Sequence, residues 1–310
     1  MTNDPKLSIV IPVYNSENTI ENTMNSLVAI EGEHRSAVQI ICSDDGSTDR
    51  SVEIVKQFAH SHSEFRWNIL EHRNTGVSGA RNRALDGACG QWILFLDADD
   101  ELGLDPIPFL DKAEPKTTSL YFPVQRQFHS NGRRSNFPAP RIPSDRVFDL
   151  LSSVVPLHIC AAVFRRECAS KKFDESLKYL EDWMYWWQNH AIFENGERIQ
   201  SATPLAIVHV HQSNRTGAFA ATGAARHQLA NKILQSFRLT KKQKNNLKMQ
   251  RDIGLFLQGK STSFGGFFRF PCSPVLWIKY LLYGMFRTRI AWIHPYQQQK
   301  TQSSVKKPVS

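Results

Sequence analysis

The sequence predicts an α/β fold: a mostly parallel sheet flanked by helices, with a C-terminal helical extension. Three observations predict it. Over the first hundred residues, short apolar runs alternate with segments whose apolar residues recur at helical spacing. Three of those runs end in polar turns, two of them crowded with acids. The last 85 residues then change character, with 16 Lys and Arg against a single acid, Asp252.

The elements follow in order. Leu7-Ser-Ile-Val-Ile-Pro12 is a buried strand ended by proline. Asn18 to Val28 is helical, with Ile20, Met24, Leu27 and Val28 on one face. Val38-Gln-Ile-Ile-Cys42 is a second strand, ended by Asp44-Asp-Gly-Ser-Thr-Asp49. Ser51 to His60 and Val77 to Ala88 are helices around a third strand, Trp67-Asn-Ile-Leu70. Gln91-Trp-Ile-Leu-Phe-Leu96 is a fourth, strongly apolar strand. Pro115 to Pro143 is an extended part of the same domain, with Leu120–Val124 strand-like. Ala161–Phe164 and Pro204–His209 are strands, and Glu181–Phe193 is an aromatic-dense helix. Residues 223–258 form two helices broken near Thr240, and residues 274–288 an amphipathic helix.

Composition narrows the function classes. The 310 residues are 41% hydrophobic and 22% charged, which is ordinary globular composition. No charge-free apolar run reaches the roughly 20 residues that span a bilayer. The opening Met1-Thr-Asn-Asp-Pro-Lys-Leu has no basic-then-apolar leader, so no secretory signal is expected. Five cysteines without CxxC spacing argue against a zinc cluster or a disulfide framework and for a reducing, cytoplasmic setting. The net charge of +9 is uneven: residues 1–225 hold 22 basic and 28 acidic side chains.

In open parallel sheets, ligands bind beyond the carboxyl ends of the strands. Here those ends carry Pro12-Val-Tyr-Asn15, Asp44-Asp-Gly46 and Asp97-Ala-Asp99-Asp100, so three polar strand ends converge on one crevice. No Gly-x-Gly-x-x-Gly follows the first strand, which disfavours a dinucleotide site, and no P-loop motif is present. Asp97 and Asp99 repel one another, a cost that a hard divalent cation relieves; the bland alternative is a solvated acidic turn.

The set Pro12-Val-Tyr-Asn15, Asp44-Asp-Gly-Ser-Thr-Asp49, Asn74-Thr-Gly-Val-Ser-Gly-Ala-Arg-Asn82 and Leu96-Asp-Ala-Asp-Asp100 resembles the nucleotide-sugar-binding half of a family 2 glycosyltransferase. The likeness covers roughly residues 5–215, with the four motifs in family order. It implies the GT-A fold, with its Rossmann-like sheet, and an inverting transfer from a nucleotide-sugar donor. It also implies a role for each matched residue. Asp45 would accept the imide N–H of uracil, making UDP the expected nucleotide. Pro12 and Tyr14 would lie against the base, with Asn15 beside them. Asp97 would face the ribose, and Asp99 would ligate Mn²⁺ or Mg²⁺ at the diphosphate. Arg81 would contact phosphate or sugar, or else lie on a helix surface.

Leu180-Glu-Asp182-Trp resembles the family's acceptor-side motif. Asp182 would be the general base, with Glu181 supporting it or binding acceptor; the alternative is two acids favoured at a helix N-terminus. Trp183, Trp186 and Trp187 offer an acceptor platform or, at helical spacing, core. His211 would ligate the metal or touch phosphate, unless it and His209 merely close a strand. Arg215 could neutralise the leaving diphosphate.

Domains are expected at 1–220 (catalytic), 221–296 (basic, aromatic-rich helical extension) and 297–310 (disordered tail). The interleaved basic and aromatic residues of the extension fit an anionic membrane interface, or an amphipathic helix packed on the domain. The partners are then a nucleotide-sugar donor, a glycan or lipid-linked acceptor of bacterial surface polysaccharide synthesis and, for the extension, the inner face of the plasma membrane. Nucleic acid is not expected. The competing functions are an inactive nucleotide-sugar-binding relative and a nucleotidyltransferase, although the latter's Gly-rich basic loop is replaced here by Tyr14-Asn-Ser-Glu-Asn18.

Overall fold

The structure, a computed structural model, describes residues 4–153, 157–211 and 219–258. The apolar runs become its buried strands. β1 (Leu7–Val13) and β2 (Val38–Asp44) are buried at every position, as is β4 (Trp92–Phe95), while β3 (Arg66–Glu71) is a half-covered edge. The helices between them are α1 (Ile20–Ser26), α2 (Ser51–Ser61) and α3 (Val77–Asp86). The rest, in order, are β5 (Glu101–Leu102), α4 (Ile107–Lys112), β6 (Ser119–Tyr121), β7 (Val124–Phe128), β8 (Arg134–Phe137), α5 (Val147–Leu151) and β9 (Ala162–Arg165). α6 (Glu181–Gln188), β10 (Gly196–Arg198), β11 (Ala206–Val210), α7 (Phe219–Ser236) and α8 (Lys241–Leu257) complete the order.

Among the described residues, seven strands form one sheet in the order β10-β6-β9-β4-β1-β2-β3. β1, β2, β3 and β4 are parallel, whereas β9 runs antiparallel to both β4 and β6. The chain moves outward from β1 through β2 to β3, then returns to place β4 on the other side of β1. That reversal opens a crevice between β1 and β4 at their carboxyl ends. Pro12 helps to open it. Lys6 and Val10 accept backbone bonds from Trp92 and Leu96 on the β4 side, while Val13 accepts one from Asp45 on the other side. By that alternation Pro12, which has no N–H, faces the β4 side beyond the last pair, Val10↔Phe95, so no ladder bond is lost.

A second sheet, of order β5-β11-β7-β8, was not foreseen. The strand expected over Leu120–Val124 is two strands in different sheets. Pro123 is the break: Phe122 N–H still bonds to Ala161 in the large sheet, while Pro123 C=O accepts from Leu205 beside the small one. The helix expected to run to Phe193 ends at Gln188 and gives way to a 3₁₀ turn over His190–Phe193.

The two helices expected over 223–258 are α7 and α8, and they pack on the main body. Phe237 meets Trp187 edge-on at 5.7 Å, Arg226 lies 5.3 Å over the Trp183 ring, and Asn246 bonds to Ser152 and Ser153 at 2.9 Å each. Lys232 pairs with Asp174, and Lys242 with Asp149. Over the described residues the extension is therefore a docked helical pair. The amphipathic helix expected at 274–288, the tail at 297–310 and Arg215 lie outside the described residues. No helix among the described residues is long and apolar enough to cross a membrane.

Candidate active site

The crevice at the ends of β1 and β4 is a cleft of about 880 Å³. Pro12, Tyr14, Asn15, Asp45, Arg81, Asp97, Asp99, Glu181, Asp182 and His211 all line it. Sequence reasoning thus placed ten side chains, spread over 200 residues, around one cavity. Trp183 does not line it.

On one wall, amides of the surrounding turns hold the acids. Asp44 accepts the Gly46 and Ser47 amides at 3.0 and 3.1 Å, tightening the turn after β2. Gly46 is required there: its φ is +82°, and a Cβ would lie 3.0 Å from the Asn74 nitrogen. Asp45, only 3% exposed, gathers four bonds. Its Oδ1 accepts from Thr75 N–H (2.9 Å), Thr75 Oγ1 (3.2 Å) and Arg83 Nη2 (2.7 Å), and its Oδ2 from Gly76 N–H (2.7 Å). A carboxylate offers about four lone-pair sites, so Oδ2 has room for one more donor from the cleft. Asn15, left-handed at φ 45°, accepts the Thr48 amide at 2.8 Å and braces the facing turn. Tyr14 beside it is 52% exposed, a large aromatic face left open at the mouth.

The other wall is built on α6. Leu180 precedes it in the left-handed region (φ 60°, ψ 25°), a conformation a leucine adopts at a cost of about 1–3 kcal/mol. That turn brings Glu181 and Asp182 to the cleft. Burial, and then repulsion from Glu181, push the Asp182 carboxyl up to about 6, against the pull of Arg81. Asp182 Oδ1 accepts the Trp183 amide at 2.8 Å.

Arg81 joins the two walls. It is 2% exposed, not on a helix surface. Its Nη2 donates to Asp97 at 2.7 Å and its Nη1 to Glu181 at 3.2 Å, with the guanidinium 5.3 Å over Phe173. Burial opposes its charge, but Asp97 and Glu181 more than offset this, so Arg81 stays cationic. Both guanidinium ends donate to carboxylates, so Arg81 positions those acids within the cleft that it lines. Asp97 accepts its bond through Oδ1 and also lines the cleft.

Beyond β4, Asp97, Asp99 and Asp100 crowd together. Burial, and then repulsion by Asp97 and Asp99, raise the Asp100 carboxyl well above the ordinary range, although it accepts the His209 amide at 3.0 Å. Mutually repelling oxygen ligands open to a cleft suit a hard divalent cation, and Asp99 lines the cavity beside Asp97 and Asp100. His158, absent from the sequence reading, also lines the cleft, and burial lowers it to about 4, so it is neutral at pH 7. Nothing in its Pro-Leu-His neighbourhood signals this.

One expected role is corrected here. Trp183 is 1% exposed, and its indole N–H donates to Leu151 C=O at 2.7 Å, so it supports the wall from behind and offers no face to an acceptor. Trp186 and Trp187 are buried too. His211 lines the cleft but stacks on His129 at 4.1 Å. Burial, followed by His129 and His209, lowers its pKa.

Residues 8–170, just over half of the chain, match the family model for glycosyl transferase family 2. An uncharacterized glycosyltransferase of Escherichia coli K12, YibD, is 41% identical over 102 residues, 33% of this chain and 28% of that protein. The chain thus spans less than a third of that relative's length. The fold is that of Staphylococcus aureus TarS 1–349 bound to UDP (TM-score 0.57, 20% identity, 81% of this chain and 72% of that one). It is also that of a Pyrobaculum calidifontis mannosyltransferase bound to GDP-mannose and Mn²⁺ (TM-score 0.59, 15% identity, 91% and 81%). The GT-A architecture and the ordered motifs around one cleft lead to the same place as the family match: this chain belongs to glycosyl transferase family 2.

Proposed function

We propose that the protein transfers a sugar from a nucleotide donor, UDP foremost, to a hydroxyl of a glycan or lipid-linked acceptor in bacterial surface polysaccharide synthesis, inverting the anomeric centre. The observation that carries this is the placement of Asp182, a carboxyl poised near pH 6, in the same cleft as Asp45, Asp97 and Asp99. A general base works best when its pKa lies near the working pH. The UDP held by TarS and the GDP-mannose and Mn²⁺ held by the Pyrobaculum enzyme support a nucleotide-diphosphate sugar as the donor class.

In this reading the base stacks on Tyr14 beside Pro12 and Asn15, and its N–H meets Asp45 Oδ2. The acceptor oxygen attacks the anomeric carbon from the α6 side, Asp182 takes its proton, and the bond to the diphosphate breaks on the opposite face. Arg81 holds Asp97 and Glu181 in place while this happens. Asp99 would hold Mn²⁺ or Mg²⁺, whose chemistry is to stabilise negative charge on the diphosphate. The basic, aromatic-rich residues 259–310 would rest on an anionic bilayer at the inner face of the membrane.

Calorimetric titration with UDP, GDP and CDP, each with Mn²⁺ and with EDTA, tests the donor. Micromolar UDP binding that needs Mn²⁺ and is lost in Asp99→Ala is expected. Equal binding in EDTA, or in Asp99→Ala, would remove the cation from the reading. Liposome retention that survives deletion of residues 260–310 would remove the membrane contact.

A further inference from the structure

Three histidines stand together on the small sheet, and the register explains why. β11 and β7 are parallel, with His209 opposite Gln127 and Val210 opposite Phe128, so the next residues, His211 and His129, are cross-strand neighbours. His129 N–H also bonds to Val210 C=O at 3.2 Å. His209 and His211 are two apart on one strand and share a face. Glu101 belongs to that face as well, because in the antiparallel β5–β11 pair it lies opposite Ile207.

The side chains realise this placement. His129 Nε2 lies 2.7 Å from His209 Nδ1, and the His129 and His211 rings stack at 4.1 Å. One ring nitrogen from each of the three falls within 4.8 Å of the others. His209 Nε2 lies 2.8 Å from Glu101 Oε1. That bond fixes a tautomer: Nε2–H donates to the carboxylate, and Nδ1 turns its lone pair toward the other two histidines. A histidine ligand oriented by a carboxylate on its far nitrogen is a recurrent arrangement in metal sites.

We propose that His129, His209 and His211 bind a borderline transition-metal ion, Zn²⁺ foremost, at a site separate from the hard cation at Asp99. Three imidazoles form a nitrogen set suited to Zn²⁺, whereas carboxylate and diphosphate oxygens suit Mg²⁺ or Mn²⁺. The ion takes the place of the proton shared by His129 and His209. A fourth position opens beside His129, which is exposed. The ion ties the end of β7 to the end of β11 and so holds His211 where it lines the cleft.

The full-length protein, stripped with EDTA, is titrated with ZnCl₂ against a chromophoric chelator, and with CoCl₂ to read the visible band of a tetrahedral site. The expected result is one tight Zn²⁺ per chain, kept in Asp99→Ala and lost in both His129→Ala and His129→Gln. Glu101→Gln weakens it by about 10- to 100-fold. The metal-free His129 variants keep the wild-type unfolding midpoint and Mn²⁺-dependent UDP binding, which separates site loss from misfolding. Zn²⁺ affinity unchanged in both His129 variants, or lost in Asp99→Ala, overturns the proposal.

Discussion

The two walls of the cleft hold their acids by different means. Beyond β1 and β2, Asp44, Asp45 and Asn15 are held largely by backbone amides of turns, those on Asp44 two or three residues on and those on Asp45 and Asn15 about thirty residues away. On α6, Glu181 is held by a buried guanidinium 100 residues distant, and Asp182 is crowded by Glu181 and by burial. Backbone amides from the turns, joined on Asp45 by the Arg83 guanidinium, preorganise a binding surface of fixed, paired carboxylates. Buried charges set against one another produce a carboxyl with a shifted pKa, which suits a group that must accept a proton and release it. One wall has the build of a binding surface and the other that of a reactive one, with Arg81 as their link.

Breaking the reactive wall alone gives the largest effect. Asp182→Asn should lower sugar transfer, followed as UDP release, by about 10²- to 10⁴-fold while UDP affinity stays within about twofold. A parallel loss of both would mean that the walls are not separable. Arg81→Ala should destabilise the fold by about 3–5 kcal/mol in urea unfolding, because Asp97 and Glu181 lose their buried partner. Wild-type stability in that variant would show that the link is dispensable.

The pH profile sharpens the comparison. As the proposed base Asp182 would act only when ionised, and its pKa is raised to about 6. kcat/KM should therefore fall about tenfold per pH unit below 6 and level off above it. A profile flat down to pH 4 would contradict the assignment. The smallest effect belongs to the support behind α6: Trp183→Phe should cost about 1 kcal/mol of stability through the lost bond to Leu151, with donor binding unchanged. A raised acceptor KM with no loss of stability would restore Trp183 as an acceptor platform.

The lining of the binding wall was legible in the sequence because its motifs are local, although the bonds that Asp45 and Asn15 accept span about thirty residues or more. A proline-ended strand, an Asp-Asp-Gly-Ser turn and an Asp-x-Asp after an apolar run each declare their own geometry. The reactive wall was legible only in part. Glu181 and Asp182 could be singled out, but Arg81 has partners 16 and 100 residues away, and no spacing rule connects them. The aromatic helix carried the same pattern whether it faced core or acceptor, and burial decided for core. The small sheet was missed because Pro123 splits an apparently continuous strand and because β5 has two residues. The histidine trio depends on a strand pairing across 80 residues, so His129 gave no sign by itself.

A crystal structure of the protein with UDP and Mn²⁺ tests the central claim most directly. The account predicts the uracil ring against Tyr14, its N–H on Asp45 Oδ2, the ion bound to Asp99, and Asp182 free of the nucleotide on the opposite wall. UDP bound outside this cleft, or the ion seated without Asp99, would contradict it.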